Sequence, residues 1–111
     1  MTETSATDEA PTVPLSKIAD DWTERVVEPA LRGTVQDVTY RGRVVCKLMP
    51  PAEFERLRAE HPITTEEIKA NAARAQRSRI SRDCRSGKAT LVLDRGNRPV
   101  VAFTPADWPT T

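Results

Sequence analysis

The sequence contains little of what enzymes use in an active site. It has one histidine, His61, only four glycines, and no Gly-rich phosphate loop, metal-ligand spacing or nucleophile elbow. A single histidine directly before Pro62, between two predicted units, is typical of a solvent-facing linker. Asp20 and Asp21 are adjacent, so on a helix their side chains would point about 100° apart and would not act as an acid pair. We therefore expect no catalysis, no cofactor and no metal site.

Long apolar runs are also absent. No stretch approaches the ~18 residues of a membrane-spanning helix, and no secretory signal opens the chain, so we expect a cytoplasmic protein with no membrane partner. The only cysteines, Cys46 and Cys84, fall on predicted core faces. We expect two buried free thiols, because nothing nearby completes a disulfide framework or a ligand set. The composition of residues 1–11, rich in Thr, Ser, Ala and acids, predicts a disordered leader.

What the sequence does contain is a repeated stretch. Residues 38–54 align with residues 92–108 at a constant shift of 54, with five identities in 17 positions and no gap. Each copy has an extended run, an Arg-Gly turn, a second extended run and a Pro-Ala-acid-aromatic ending. The pattern predicts a β-hairpin in each copy, followed by a helix beginning at Pro51 and at most a helical stub at Pro105.

The two hairpins differ in their apolar pattern. Alternation in the first predicts one buried face formed by Val38, Tyr40, Val44, Cys46 and Leu48, whereas the second is apolar almost without a break and should be covered on both faces. Gly42 and Gly96-Asn97 are expected to supply the positive φ of the two turns. Four aromatic residues are expected to be core or interface anchors: Trp22, Phe54, Phe103 and Trp108.

A helix is predicted before each hairpin. The first covers residues 16–32, with Ile18, Trp22, Val26 and Leu31 on one face, a kink or split at Pro29 and an end at Gly33. The second begins with an apparent capping box at residues 64–67 and runs to residue 86 before Gly87. Its expected apolar stripe is thin, consisting of Ile68, Ala72, Ala75, Ile80 and Cys84.

The unit of short strand, helix, hairpin and short helix resembles the Phd/YefM antitoxin family. Residues 63–72 look like the family's opening strand and helix start, and the Arg-Gly hairpin with its Pro-Ala-Asp-Trp ending looks like the family's hairpin. Residues 13–16 and 38–57 carry the resemblance in the first copy. Half of this chain is small for a stable core, and the family meets that difficulty by dimerising. We expect an α+β fold in which two repeats, 12–60 and 61–111, form one pseudo-symmetric domain that could dimerise further.

The resemblance implies an antitoxin of a type II toxin–antitoxin system, binding DNA as an autorepressor, a toxin protein, or both. Family members contact operator DNA through basic residues near the first helix start and beside the hairpin. The resemblance implies Lys69 at the helix position, with Ala19 at its place in the first copy. At the hairpin position the two copies have Tyr40 and Asp94, and the basic residues implied there, Arg41 and Arg95, come one position later. The family's toxin-binding segment follows its last helix. Here that segment is either lost, replaced by residues 55–88, or supplied by the whole second copy. The alternative function is a non-catalytic protein-interaction module without DNA binding.

The second predicted helix is rich in arginine. Residues 1–40 carry a net charge of −5 and residues 65–88 a net charge of +4. Several like charges fall at i,i+3, which destabilises an isolated helix by a few tenths of a kcal/mol per pair. Three interpretations stay open: a solvated face, a phosphate-binding face on DNA, or docking on the acidic first helix. The DNA interpretation assigns phosphate contacts to Lys69, Arg74, Arg77 and Arg82.

Overall fold

The structure, a computed structural model, describes residues 11–109, and the predicted leader lies almost wholly outside them. It contains six strands together with α-helices, a 3₁₀ helix and a π-helix, so the predicted α+β class is confirmed. The strands are Thr12–Pro14 (β1), Gln36–Tyr40 (β2), Arg43–Met49 (β3), Thr65–Lys69 (β4), Ala89–Leu93 (β5) and Pro99–Thr104 (β6).

All six strands form one sheet in the order β1-β2-β3-β6-β5-β4. Each hairpin, β2–β3 and β5–β6, is antiparallel and carries a parallel strand at its outer edge, β1 beside β2 and β4 beside β5. The hairpins meet at the centre through a short antiparallel pairing in which Leu48 lies opposite Phe103. Because β3 and β6 overlap only near their ends, the two hairpin turns project from opposite ends of the sheet.

The two turns have different lengths. Arg41 and Gly42, with φ of 53° and 78°, form a two-residue turn of the type that needs positive φ at both positions. The second turn has three residues, closed by Asn97 at φ 63°, and Gly96 does not have the positive φ that we predicted. Consequently the gapless alignment does not hold across the turn: Val38 pairs with Cys46, eight residues on, and Val92 with Val101, nine residues on.

Each hairpin also contains a bulge that the sequence pattern did not indicate. Between Val38 and Thr39 the pairing skips Val45, and between Val92 and Leu93 it skips Val100. A bulge leaves one residue of the longer strand without a partner and reverses the alternation beyond it. Val44, beyond the bulge on β3, is therefore 46% exposed and does not belong to the buried face that we predicted. Tyr40 lies on β2, which has no extra residue, and is 49% exposed at the end of that strand.

The predicted helix over residues 16–32 is divided. A 3₁₀ turn, Leu15–Lys17, is followed by a π-helical segment, Thr23–Val27, and a short helix, Glu28–Leu31 (α1). Pro29 cannot donate to the carbonyl of Arg25, four residues earlier. The side-chain amide of Gln36 donates to that carbonyl instead, at 2.7 Å. Leu31, predicted on the buried face, is 77% exposed, and the buried position near this end is Ala30.

The predicted capping box at residues 64–67 is wrong. Thr65–Lys69 is β4, and its five residues pair in parallel with Ala89–Leu93. The hydroxyl of Thr65 donates to the carbonyl of Ile63 at 3.0 Å and caps no helix. The helical residues begin later, as Ala70–Ala75 (α3) and Arg77–Arg85 (α4), separated at Gln76. Ala75 is exposed and Ala73 is buried, which corrects the predicted stripe.

The sheet has a core on each face. The inner face, covered by residues 15–31, α3 and α4, buries Val38, Cys46, Leu48, Val92, Val101 and Phe103 with Trp22 and other helix residues. The outer face is covered by the helix Pro51–Glu60 (α2) and the segment after β6. There Phe54 packs on Trp108 with ring centroids 5.6 Å apart. The prediction that Trp22, Phe54, Phe103 and Trp108 are buried anchors is confirmed.

Two further expectations concern the thiols and the membrane. Cys46 and Cys84 are both buried and free, as predicted. The pKa of Cys46 is raised well above its ordinary value, first by a hydrogen bond with the Cys84 side chain and then by burial. Between residues 11 and 109, no helix is long and apolar enough to cross a membrane.

Candidate nucleic-acid interface

Two of the predicted DNA-binding residues, distant in sequence, meet at one corner of the sheet. Lys69 is the last residue of β4, and its ammonium group donates to the backbone carbonyls of Asp94 and Arg95 at 3.4 and 3.5 Å. It also donates to the side-chain oxygen of Asn97. Lys69 and Arg95 line a pocket of about 410 Å³ with Ala70, Asn71 and Asp94. We call this set, with Arg98 beside it, the β4 corner.

Asp94 holds the turn of the β4 corner in shape. Its carboxylate accepts hydrogen bonds from the backbone N–H groups of Gly96 and Arg98, at 2.8 and 2.9 Å. The Arg98 N–H is the main reason that the pKa of Asp94 is lowered. The guanidinium of Arg98 also lies 3.4 Å from this carboxylate. The acid therefore organises the loop that presents Arg95 and reduces the local positive charge by one.

Arg74 and Arg77 do not reach this corner and have partners within the chain. The guanidinium of Arg74 donates twice to the carbonyl of Ala19, at 3.0 and 2.6 Å, and so connects α3 to the segment before the π-helical turn. Arg77 donates to the carbonyl of Arg74 at 2.9 Å. The acceptors are backbone carbonyls, not the carboxylates of the first helix that the docking interpretation named. Both side chains contribute to packing between segments.

Arg79, a member of the arginine-rich stretch, is neutralised by carboxylates of the same chain. Its guanidinium lies 3.1 Å from Glu66 on β4 and 2.6 Å from Asp83 one turn further along α4. The hydrogen bond with Glu66 is the largest cause of its raised pKa. Glu66 therefore fastens the edge strand to α4, and Arg79 is not free to meet a phosphate.

Arg41 and Arg82 belong to the opposite end of the sheet. Arg41 lies in the first turn with its guanidinium 5.2 Å from the ring centroid of Tyr40. Arg82 faces the same hairpin from α4, where it lines a cavity of about 250 Å³ together with Arg85 and Tyr40. The six predicted residues thus divide into two surface groups, Lys69 with Arg95 and Arg41 with Arg82, and an internal pair, Arg74 with Arg77.

Sequence reasoning missed several members of these two surfaces. Asn71 and Arg98 join the β4 corner, and Ser78, Ser81 and Arg85 join Arg82 on α4. The spacing of Ser78, Ser81, Arg82 and Arg85 is i, i+3, i+4, i+7, which places them on one helix face and was available in the sequence. Nothing local indicated which face would meet the first hairpin, because that depends on the pairing of β3 with β6.

No protein-family model, curated protein or solved structure matches this chain.

Proposed function

We propose that the chain is a fused pseudo-dimer of the Phd/YefM type, with repeats at residues 12–60 and 61–111. From each edge of the sheet to its centre, the strands follow their order in the chain: β1-β2-β3 on one side and β4-β5-β6 on the other. This arrangement supports the proposal. The bulged residues Val45 and Val100 hold corresponding places in the two hairpins. Leu48 and Phe103, corresponding residues of the two central strands, lie directly opposite each other. A twofold axis perpendicular to an antiparallel sheet relates such directly opposed residues.

The same correspondence changes which residue of the first repeat is the counterpart of Lys69. Lys69 pairs with Leu93 at the end of β4, and Pro14 pairs with Thr39 at the end of β1. Under the pseudo-twofold, the counterpart of Lys69 is therefore Pro14 and not Ala19. The two ends of the sheet differ in their basic residues, and the pseudo-dimer would meet a twofold-symmetric DNA site asymmetrically.

We infer a non-catalytic, antitoxin-like protein that binds duplex DNA through the β4 corner. The observation that carries this function is the convergence of Lys69 and Arg95, 26 residues apart in the chain, at the junction of a helix start and a hairpin turn. The exposed guanidinium of Arg98 is also there, with its charge offset by the Asp94 carboxylate 3.4 Å away. Phosphate contacts from lysine, arginine, asparagine and backbone N–H groups position proteins on DNA.

The test is a salt titration of binding to a pool of random duplexes, starting at about 50 mM salt. If Lys69 and Arg95 each neutralise a phosphate, the Lys69→Gln/Arg95→Gln double variant should bind more weakly to all sequences. The slope of log affinity against log salt should become shallower by about 1.8, or 0.9 per contact.

A matched control removes two positive charges from the outer face, as Arg56→Gln/Arg58→Gln on α2, where both arginines pair with glutamates of the same helix. This control should leave the slope unchanged. Absence of duplex binding by the unaltered protein at about 50 mM salt would refute the DNA function.

A protein-interaction module without DNA binding is the second candidate. Its specific support is that Arg74 and Arg77 have hydrogen-bond partners within the chain, which engages two of the four residues assigned to phosphate on the second predicted helix. For this candidate, the proposed partner is a toxin or another protein. Refutation of duplex binding in the salt titration would favour this candidate.

A further inference from the structure

The cavity between α4 and the first hairpin is a second basic site, to which the proposed function assigns no ligand. It has a volume of about 250 Å³ and lies at the end of the sheet away from the β4 corner. Its polar wall is the α4 face formed by Ser78, Ser81, Arg82 and Arg85. Its opposite wall is formed by Tyr40 and Val45 of the hairpin and by Leu15.

The charge of this cavity is not neutralised within the described chain. Arg82 and Arg85 form no ion pair with any residue between 11 and 109, whereas Arg79 on the same helix pairs with two acids. The two free arginines are spaced i,i+3, so they repel each other on the helix surface. An anion between them would remove this repulsion and gain two charge-assisted hydrogen bonds.

The hydroxyl groups and the aromatic ring of the lining indicate which kind of anion the cavity fits. The lining hydroxyls of Ser78, Ser81 and Tyr40 can each donate one hydrogen bond, and arginine offers a fork of donors that matches a tetrahedral oxyanion. Ser81 is only 5% exposed, so it belongs to the buried part of the cavity lining. The half-exposed ring of Tyr40 offers a flat apolar surface beside the cationic groups.

We propose that this cavity binds a phosphoryl group, with Arg82 and Arg85 as its cationic ligands and the ring of Tyr40 against the group that carries it. The cavity is smaller than the usual range of about 300–1,000 Å³ for organic ligands. It therefore accommodates the phosphoryl group and part of its substituent, and the rest of the ligand extends outside. Two sources share this chemistry: a free aromatic phosphate monoester and a phosphate of a DNA strand.

Amide NMR titrations with inorganic phosphate and with phenyl phosphate test the proposal. Both probes should shift the amides of Ser78, Ser81 and Arg82, and phenyl phosphate should bind more tightly because its ring adds contact with Tyr40. Arg82→Gln/Arg85→Gln should weaken both probes at least about tenfold. Tyr40→Ala should weaken phenyl phosphate more than inorganic phosphate, because it removes the ring contact as well as one hydroxyl donor. Both arginines are exposed, so the double variant is expected to fold.

Controls separate this site from general attraction of anions and from the proposed function. Arg56→Gln/Arg58→Gln should leave the phosphate-induced shifts of Ser78 and Ser81 unchanged, and so should Lys69→Gln/Arg95→Gln, whose proposed phosphate contacts lie at the β4 corner. Equal weakening by any of these variants, or no saturable shifts at Ser78 and Ser81, would overturn the proposal.

A parallel titration with duplex DNA identifies the source. If duplex DNA shifts the same amides and competes with phenyl phosphate, the ligand is a DNA phosphate. If only the small esters bind, it is a free monoester, and the site then stands even if DNA binding through the β4 corner fails.

Discussion

The two β-hairpins of this protein share a strand pairing and a bulge but differ on the outer face of the sheet. In the second hairpin, Leu91 lies opposite Ala102 and both are buried beneath α2 and Trp108. In the first, the corresponding pair is Asp37 opposite Lys47, and both are only half-buried. An antiparallel hairpin remains stable with one solvated face, whereas a hairpin with two apolar faces needs a cover. The single helix α2 therefore lies over the hairpin that needs it, although it follows the other one in the chain.

Exchanging the outer pairs should give the largest effect. Leu91→Asp/Ala102→Lys places charges beneath α2, where water is excluded, and we expect a loss of about 3 kcal/mol or more in the free energy of unfolding. The reverse exchange, Asp37→Leu/Lys47→Ala, alters a half-exposed surface and should change stability by less than about 1 kcal/mol. Urea denaturation of both variants measures the difference. Similar losses in the two variants would show that the outer faces are not distinct.

A smaller effect on stability is expected at the inner face of the sheet, where the two hairpins differ in one buried residue. Cys46 in the first hairpin has the place of Val101 in the second, and its pKa is raised by the hydrogen bond with Cys84 and by burial. In the unfolded chain the thiol ionises near pH 8.5, whereas in the folded protein it stays protonated. Its contribution to stability is therefore complete below about pH 8.5 and is lost as the pH rises towards the folded pKa, by at most about 1.4 kcal/mol per pH unit.

Cys46→Val makes the hairpins alike and should flatten this alkaline decline. The measurement is the midpoint of urea denaturation of both proteins at several pH values between 8 and 10, with a reductant present. Ionisation of lysine and tyrosine side chains contributes equally to both proteins and cancels in the comparison. Parallel pH curves for the variant and the unaltered protein would contradict the expectation.

The smallest effect concerns Thr104, at the end of β6. Its hydroxyl is buried and has no hydrogen-bond partner among residues 11–109. Valine has nearly the same shape and no polar atom, so Thr104→Val should raise the free energy of unfolding by up to about 1 kcal/mol. Thr39→Val, at a half-buried site of the first hairpin, should have almost no effect. Destabilisation by Thr104→Val in thermal melting would mean that the hydroxyl is hydrogen-bonded in solution.

The predictions from sequence succeeded where short-range chemistry decides the structure. The positions of the two turns, Pro51 at a helix start, and Gly33 and Gly87 after helical segments follow from backbone preferences that a few neighbours express. The second turn departs only in its length and in having the positive φ at Asn97 and not at Gly96. The prediction of a helix start at residues 64–67 failed because the sequence pattern of a capping box can also occur in an edge strand, here Thr65–Lys69. The strand forms because β5, some twenty residues later, offers it a parallel partner.

The candidate sites show the same division. Lys69 and Arg95 were named from a family resemblance, and they lie together at the β4 corner. Arg74 was assigned to phosphate, but it donates to the carbonyl of Ala19, a contact set by how the two halves pack. The cavity beside Tyr40 needs both a bulge and a helix from the other half, and neither has a local signature. Charge and spacing in the sequence indicated the arginines as candidate phosphate ligands. Only the tertiary structure shows which of them have partners within the chain.

The central position of β6 has a consequence for biosynthesis. Ribosomes make this strand after the other five, yet it lies in the middle of the sheet between β3 and β5. While the nascent chain still lacks residues 99–104, the inner edge of β3 exposes unpaired backbone groups, which form a template for pairing with another chain. Neighbouring nascent chains on one messenger could then pair with each other through this edge. Rapid synthesis of residues 99–104 would protect the protein from such intermolecular pairing.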